Sequence, residues 1–337
     1  MAKTTQSAEI LILGTMDDPH VERVTFSLSK QGITHTVLDY KRNNKLEFHM
    51  DQNGTFDLKV GDYLVGKETI IWDRSLLMAG TDFYPVAPYE HAGFIAEEWR
   101  ALYKLINGLM SDNVINSLSS KACLIKPMQQ RMAAESGFSV PATLVTQRKD
   151  RAQEFSRKHG AIVVKSLSGV RHKPANESEF VPVVVMTSKV DDVLLAESSE
   201  EDILSCPHFF QEEINKQNEL RVTVVGTDIF AFEINSQEFS SSRTDWRMGM
   251  EFLDFSPFTL RETHLNKIIR FMQRSGLTYG CMDLIIDKRD DLWFLECNQN
   301  GAWAWLDDVV AGGISGAFSK MLIGRVRNSQ SPEISIV

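Results

Sequence analysis

Residues 281–298 constrain this chain more than any other stretch. CMDLIID and DLWFLECN read as two strands joined by the polar residues 287–291, a hairpin pattern. If the strands pair antiparallel about a loop centred between Arg289 and Asp290, Asp283 falls directly opposite Glu296. Residues opposite each other share a face, with Cβ atoms about 5 Å apart. Asn298 lies two residues past Glu296 and shares that face. Two carboxylates at that separation repel unless a cation sits between them. A donor set of oxygens alone, with no His or Cys, suits magnesium, above all where phosphates complete its shell. The plainer alternative is a solvated hairpin with scattered acids. Against it, Glu296 stands among Phe294, Leu295 and Cys297, and charge seldom enters so apolar a strand without a partner.

Further groups fit a phosphate-bearing ligand. Lys165 ends the apolar strand AIVVK and faces the loop Ser166, Leu167, Ser168, Gly169. A Lys at such a strand end is a point charge for phosphate. Lys126 also ends an apolar run, just ahead of Pro127, which suits the first turn of a helix running to Gly137. Either lysine alone is more often a solvated strand terminus. Gln211, Glu212, Glu213 and Ile214 continue an apolar strand whose backbone could read an adenine edge. Glu219 could accept from ribose hydroxyls, and Arg221, opening an alternating strand, could face phosphate. In isolation, a plain connector and a surface ion pair explain these last residues better.

The chain has 337 residues, enough for two or three domains. Apolar residues make up 43% and charged residues 24%, the balance of a soluble globular protein. Asp plus Glu outnumber Lys plus Arg, 45 to 36, and without a basic excess no nucleic-acid partner is expected. The four cysteines form no C-x-x-C pair, which argues against a zinc ribbon and for a reducing compartment. No stretch approaches the roughly 18 apolar residues of a membrane span. The first residues lack a signal-peptide pattern, so a cytoplasmic protein is expected. A strand at 9–13, a helix at 21–31 and a strand at 34–38 form a βαβ unit. A hairpin at 46–72 and a helix at 92–120 follow. Then come an extended piece at 140–145, a helix at 150–159, a loop at 166–182, and strands at 183–187 and 193–197. A hairpin turning at 226–228, a helix at 259–275 and a loose polar tail after 325 complete an α/β (α+β) chain.

Two motif lookalikes fail. The segment from Gly61 to Glu68 matches G-x-x-x-x-G-K but ends in Glu68, where a P-loop needs a hydroxyl for magnesium, and it lies in hairpin-like sequence. The glycines Gly312, Gly313 and Gly316 do not form G-x-S-x-G and read as a turn entering a C-terminal helix.

In order and spacing, Lys126, Lys165, the strand Gln211, Glu212, Glu213, Ile214, then Glu219, Asp283, Glu296 and Asn298 resemble the ATP-grasp family. Longer segments narrow the likeness: KPMQ at 126–129, VPATLVT at 140–146, ELRVTVVG at 219–226, TDWR at 244–247 and LECNQNGAW at 295–303. They look like the microviridin-type peptide maturases, the graspetide synthetases, which are relatives of RimK-type ligases. The likeness runs over about residues 10–310. It departs at Trp72-Asp73-Arg74-Ser75, where aromatic residues before paired arginines are expected.

The resemblance implies an N-terminal lobe at 1–122, ATP-grasp subdomains at 123–208 and 209–327 that clasp ATP, and a loose tail at 328–337. It implies an ADP-forming ligase that closes rings in a ribosomal precursor peptide made of leader and core. An Asp or Glu side chain of that peptide would become an acyl phosphate. A Ser, Thr or Lys side chain would then displace phosphate, leaving an ω-ester or ω-amide. Asp283, Glu296 and Asn298 would hold magnesium; Lys126 and Lys165 would bind phosphates; Arg221 and Arg247, with Lys165, would stabilise the reacting charge. Trp246 and Trp303 would wall the acceptor site, and the enzyme would be a homodimer. Alternatives are a RimK-like ligase that adds an amino acid to a carboxylate, and a nucleotide-binding regulator without turnover.

Overall fold

The computed structural model describes residues 6–75, 89–116, 125–167 and 186–329. Its contacts divide the chain into two units, one of residues 1–121, 224–228 and 300–337, the other of residues 122–223 and 229–299. The sequence suggests three parts and a tail; residues 123–208 and most of 209–299 fall in the second unit.

The first unit is built on β1 (Gln6–Gly14), α1 (Pro19–Lys30) and β2 (His35–Asp39), with β1 and β2 parallel as a βαβ unit requires. Next come β3 (Leu46–Met50), β4 (Phe56–Val60), β5 (Tyr63–Asp73), α2 (Tyr89–Leu109) and β6 (Val114–Ile115). The sheet order is β2-β1-β5-β4-β3, with β6 added to β5. The run Ile10, Leu11, Ile12, Leu13 is wholly buried because helices cover both faces of a central parallel strand. Tyr103 and Ile106 of α2 pack with Leu11, Leu13 and Ile71. The helix expected over 92–120 stops at Leu109; tertiary pairing with β5 draws Val114 and Ile115 into the sheet instead. The rejected P-loop lookalike spans the β4–β5 turn and β5, with Lys67 exposed on the strand.

The second unit carries two sheets. The first has β7 (Thr143–Thr146), β8 (Ile162–Lys165), β9 (Ser188–Val190) and β10 (His208–Glu212) in the order β7-β10-β8-β9. Helices α3 (Lys126–Glu135), α4 (Lys149–His159), α5 (Asp192–Glu197) and α6 (Glu200–Leu204) accompany it. Residues 193–197, expected as a strand, form α5, because Asp191 caps it by accepting from Leu194 N at 2.8 Å. The second sheet runs β13-β12-β11-β14-β15, from β11 (Asn218–Val225), β12 (Asp228–Ile234), β13 (Phe255–Pro257), β14 (Tyr279–Ile286) and β15 (Leu292–Asn298). Helix α7 (Glu262–Ser275) ends at Gly276, whose φ of 65° is the left-handed cap that glycine favours. Residues 183–185 of the expected strand at 183–187, and most of the loop at 166–182, lie outside the described residues; Met186 and Thr187 precede β9 without strand pairing.

The C-terminal helices α8 (Ala304–Val309) and α9 (Gly313–Ser329) return to the first unit. Helix α9 therefore extends past 325, where a loose tail was expected. Its start is capped by Asp307 Oδ1, which accepts from Ile314 and Ser315 N at 2.9 Å each.

A buried polar cluster ties this return to the N-terminal strands. His20 Nε2 accepts from the backbone N–H groups of Trp303 at 2.8 Å and Ala304 at 3.0 Å. Backbone N–H groups only donate, so the imidazole proton sits on Nδ1, 2.5 Å from Asp18 Oδ1. Arg74 Nε donates to Asp18 Oδ2 at 2.8 Å, and Arg74 Nη1 to the Asn300 carbonyl. Burial holds His20 below its ordinary pKa of 6.5. Burial works to raise Asp18, but the His20 hydrogen bond and Arg74 bring it from 3.8 down to about 2. A depressed His favours the fold fully above pH 6.5 and loses that contribution as the pH falls below it. Asp18 contributes fully above 3.8 and loses its part between 3.8 and about 2. The thermal midpoint should therefore drop between about pH 7.5 and 5.5. His20→Ala should flatten that drop. It should also cost about 1–3 kcal/mol at neutral pH for each of the two orphaned N–H groups. Superimposable midpoint-against-pH curves for wild type and variant would refute this.

Candidate active site

The hairpin β14–β15 brings Asp283 opposite Glu296 as the sequence predicts, but by a different route. Near the turn the pairs are Ile286 with Leu292, Ile285 with Trp293 and Leu284 with Phe294, so the loop is centred on Arg289. A register shift between Asp283 and Leu284 then leaves Leu295 as an extra residue on β15. That bulge restores the pairing of Asp283 with Glu296. It also reverses the faces: Leu292 and Phe294 are buried, and after the bulge Cys297 is buried in their place. Glu296 and Asn298 thus share a face, and Asn298 Nδ2 donates to Glu296 Oε1 at 3.1 Å.

Cations from four elements converge on this pair. Arg221, on the neighbouring strand β11, donates to Asp283 Oδ1 at 3.0 Å. Burial opposes the Arg221 charge, yet Asp283 raises its pKa above the ordinary value. Lys126 opens α3; its Nζ donates to the Ser166 carbonyl at 2.6 Å and lies 3.9 Å from Glu296 Oε2. Lys165 ends β8 beside them. Burial, with repulsion from Lys126 and Lys216, brings its pKa down to about 8 against the pull of Glu296 and Asp245. Arg247 is held by both oxygens of Asp245, at 2.8 and 2.6 Å. Those bonds raise the Arg247 pKa, and they bring Asp245 down to about 2 against its burial. Asp245 also caps the 3₁₀ turns of Trp246–Phe252 and accepts from Thr187 N at 3.0 Å.

The two paired acids respond oppositely. Burial first, then repulsion from Glu296, raises Asp283 to about 6 despite Arg221. Burial would raise Glu296 too, but Lys126, Arg247 and Lys165 hold it below the ordinary carboxylate value. Among the described residues no group of three or more His, Cys, Asp or Glu side chains could enclose a metal ion. Two acids and an amide oxygen fit magnesium that takes its remaining oxygens from phosphate and water. Two like charges placed directly opposite each other favour a further cation beside them.

Other expected residues lie close by with different surroundings. Glu219 is buried, and its Oε2 accepts from Lys216 Nζ at 2.8 Å and Ser236 Oγ at 2.5 Å. Gln211 is buried and donates to Thr143 Oγ1 at 3.3 Å. Glu212 accepts from Ala142 N at 3.3 Å, Glu213 pairs with Lys189 at 2.6 Å, and Glu213 N–H donates to the Ala161 carbonyl. Ile214 is buried just beyond. The two tryptophans expected as acceptor-site walls are packed instead. Trp246 is buried, with the Arg221 guanidinium 5.9 Å from its ring centroid and Phe255 edge-on. Trp303 is fully buried in the first unit against His20 and Phe318. Three participants had no role assigned from the sequence: Lys216 stands in a polar connector, and Asp245 and Gln129 lie in the segments TDWR and KPMQ without a function of their own. Gln129 bonds both backbone groups of Cys297.

No family model matches the chain, and no curated protein matches it. Among solved structures it is similar to a RiPP-associated ATP-grasp ligase of Chryseobacterium gregarium in complex with ADP and a leader and core peptide. That likeness has 27% identity and a TM-score of 0.80, over 94% of this chain and 97% of that one. The macrocyclase MdnC of Microcystis aeruginosa MRC, bound with its precursor peptide MdnA, shares 24% identity at a TM-score of 0.74, over 94% and 99%. The ATP-grasp ligase PsnB, complexed with a minimal precursor, Mg and ADP, shares 19% identity at 0.74, over 97% and 100%. The chain has the ATP-grasp fold, in the architecture of the RiPP-associated ligases.

Proposed function

We propose that this protein is an ADP-forming ATP-grasp ligase that closes ω-ester or ω-amide rings in a ribosomal precursor peptide. The observation that carries the proposal is the charge arrangement: Asp283 opposite Glu296, ringed by Lys126, Lys165, Arg221 and Arg247. Its support is the likeness, over nearly the whole chain, to a ligase in complex with ADP and a leader and core peptide.

In this reading the subdomains 123–208 and 209–327 are the two halves of the nucleotide clasp. The strand from Gln211 to Ile214 meets the adenine edge, Glu219 the ribose, and Lys126 and Lys165 the phosphates. Asp283, Glu296 and Asn298 hold magnesium, which neutralises phosphate charge when bound. A carboxylate oxygen of a substrate Asp or Glu attacks the γ-phosphorus, and the bond to the departing ADP oxygen breaks, giving an acyl phosphate. A Ser or Thr hydroxyl, or a Lys amine, of the same peptide then attacks the acyl carbon. It loses its proton, and phosphate leaves with the bonding electrons. Arg221 and Arg247 lower both barriers by facing the charge that moves onto phosphoryl and leaving oxygens. A homodimer in the cytoplasm completes the reading. No helix among the described residues is long and apolar enough to cross a membrane.

With precursor peptide, ATP and magnesium, intact mass should fall by one water per ring, with no free amino acid required. A gain of an amino-acid residue would instead identify a RimK-like ligase. Nucleotide binding without turnover would identify a regulator. Glu296→Gln and Asp283→Asn should each lower ATP turnover by about two orders of magnitude or more in protein that still folds. Near wild-type rates in both would remove the metal assignment. Lys165→Ala should weaken nucleotide binding and slow turnover, whereas Lys67→Ala, on β5, should change neither. The reverse pattern would move the phosphate site to the glycine-rich turn.

A further inference from the structure

Strand β15 lies at the edge of its sheet, paired with β14 on one side only. Two separate pieces of chain cover its outer side. Ser139 bonds the first half: Ser139 N donates to the Leu292 carbonyl at 3.0 Å, and Phe294 N donates to the Ser139 carbonyl at 2.9 Å. The second half is covered by a side chain. Cys297 N donates to Gln129 Oε1 at 2.8 Å, and Gln129 Nε2 donates to the Cys297 carbonyl at 3.2 Å. The Gln129 amide thus stands where the peptide group of a further strand would stand, and it is itself buried. The extra residue Leu295 falls between these two attachments.

We infer that Gln129 is a positioning residue that fixes the metal-facing orientation of Glu296 and Asn298 by clamping the Cys297 backbone beyond the bulge. The inference rests on the nucleotide and magnesium reading above. A strand that slips by one residue turns every side chain to its other face. If the bulge moved toward the strand end, Glu296 would turn to the face that buries Phe294. Gly280 restricts the same point from the opposite side, since a Cβ there would lie 2.8 Å from Cys297 Sγ. Gln129 and Lys126 are three residues apart on α3, so one helix face supplies both the clamp and the cation that meets Glu296.

The test is direct metal binding, not turnover. Manganese, as a spin-active substitute for magnesium, is titrated into wild type and variants saturated with ADP, and bound ion is read by electron paramagnetic resonance. ADP affinity without metal and the thermal midpoint are measured alongside. Gln129→Met keeps the side chain's length and removes both hydrogen bonds. It should weaken manganese binding about tenfold or more while changing metal-free ADP affinity less than about twofold. Gln129→Glu can still accept from Cys297 N, so it should fall between the two. Manganese affinity equal to wild type in a folded Gln129→Met protein overturns the inference. So does an equal loss of metal and metal-free ADP binding, which marks a structural role only. Wild type that fails to bind manganese with ADP, or a Glu296→Gln variant that binds it as well as wild type, overturns the metal reading itself.

Discussion

Two carboxylates held face to face on adjoining strands are a standing electrostatic strain, and the chemistry of the second unit is organised around it. Asp283 and Glu296 sit in strands whose other side chains are mostly apolar and buried, so water does little to screen them. Cations answer them from α3, β8, β11 and the 3₁₀ turns after β12. The division is unequal. Glu296 has three cations acting on it and stays ionised, whereas Asp283 has Arg221 against it but is raised toward neutrality by burial and by Glu296. A pair in that state gains from a divalent ion more than either acid would alone. The surrounding lysines and arginines leave a local surplus of positive charge for a polyphosphate. Removing any single partner from such a buried network leaves an uncompensated charge, which costs far more than the pair contributes when whole.

The same logic of satisfied buried groups appears in the first unit with no excess charge. His20 serves as a neutral acceptor for two backbone N–H groups at the start of α8, and Asp18 and Arg74 keep its proton on the other nitrogen. This cluster occupies Arg74 and the residues around it, at the point where the sequence departs from the pattern of paired arginines. The departure is thus accounted for by structure: Trp72 packs in the core against Phe318, and Asp73 and Arg74 are bound to Asn107, Asn300 and Asp18.

Much of this was legible in the chain because acids in apolar strands are conspicuous. The alternation of CMDLIID and LWFLECN, with one acid in each, suffices to bring Asp283 and Glu296 together. It does not reveal how. The turn is offset from the expected centre and the bulge at Leu295 corrects the offset, so the expected pair is right although the register beside it is not. Bulges answer to contacts far away in sequence, here Ser139 and Gln129, and local pattern does not record them. The same holds for Lys216 and Asp245, whose burial depends on Glu219 and Arg247 meeting them in space. Residues 193–197 were misread because five largely apolar residues suit either period, and only the cap at Asp191 decides. Trp246 and Trp303, expected from the resemblance as acceptor-site walls, are both buried, as large rings most often are.

Cysteine placement bears on what kind of catalysis the site can perform. Cys297 stands between Glu296 and Asn298 in the sequence of β15. Its thiol is buried, and burial together with nearby Cys281 raises its pKa well above 9.0. A thiol that cannot ionise is a poor nucleophile. Its side chain packs beside Gly280 instead, and its backbone is given over to Gln129. The residue therefore acts through its main chain. The chain supplies register, cations and a metal-binding pair, and leaves both bond-forming nucleophiles to the substrate. That division suits phosphoryl transfer, in which positioning and charge neutralisation carry most of the rate and covalent help from the protein is not required.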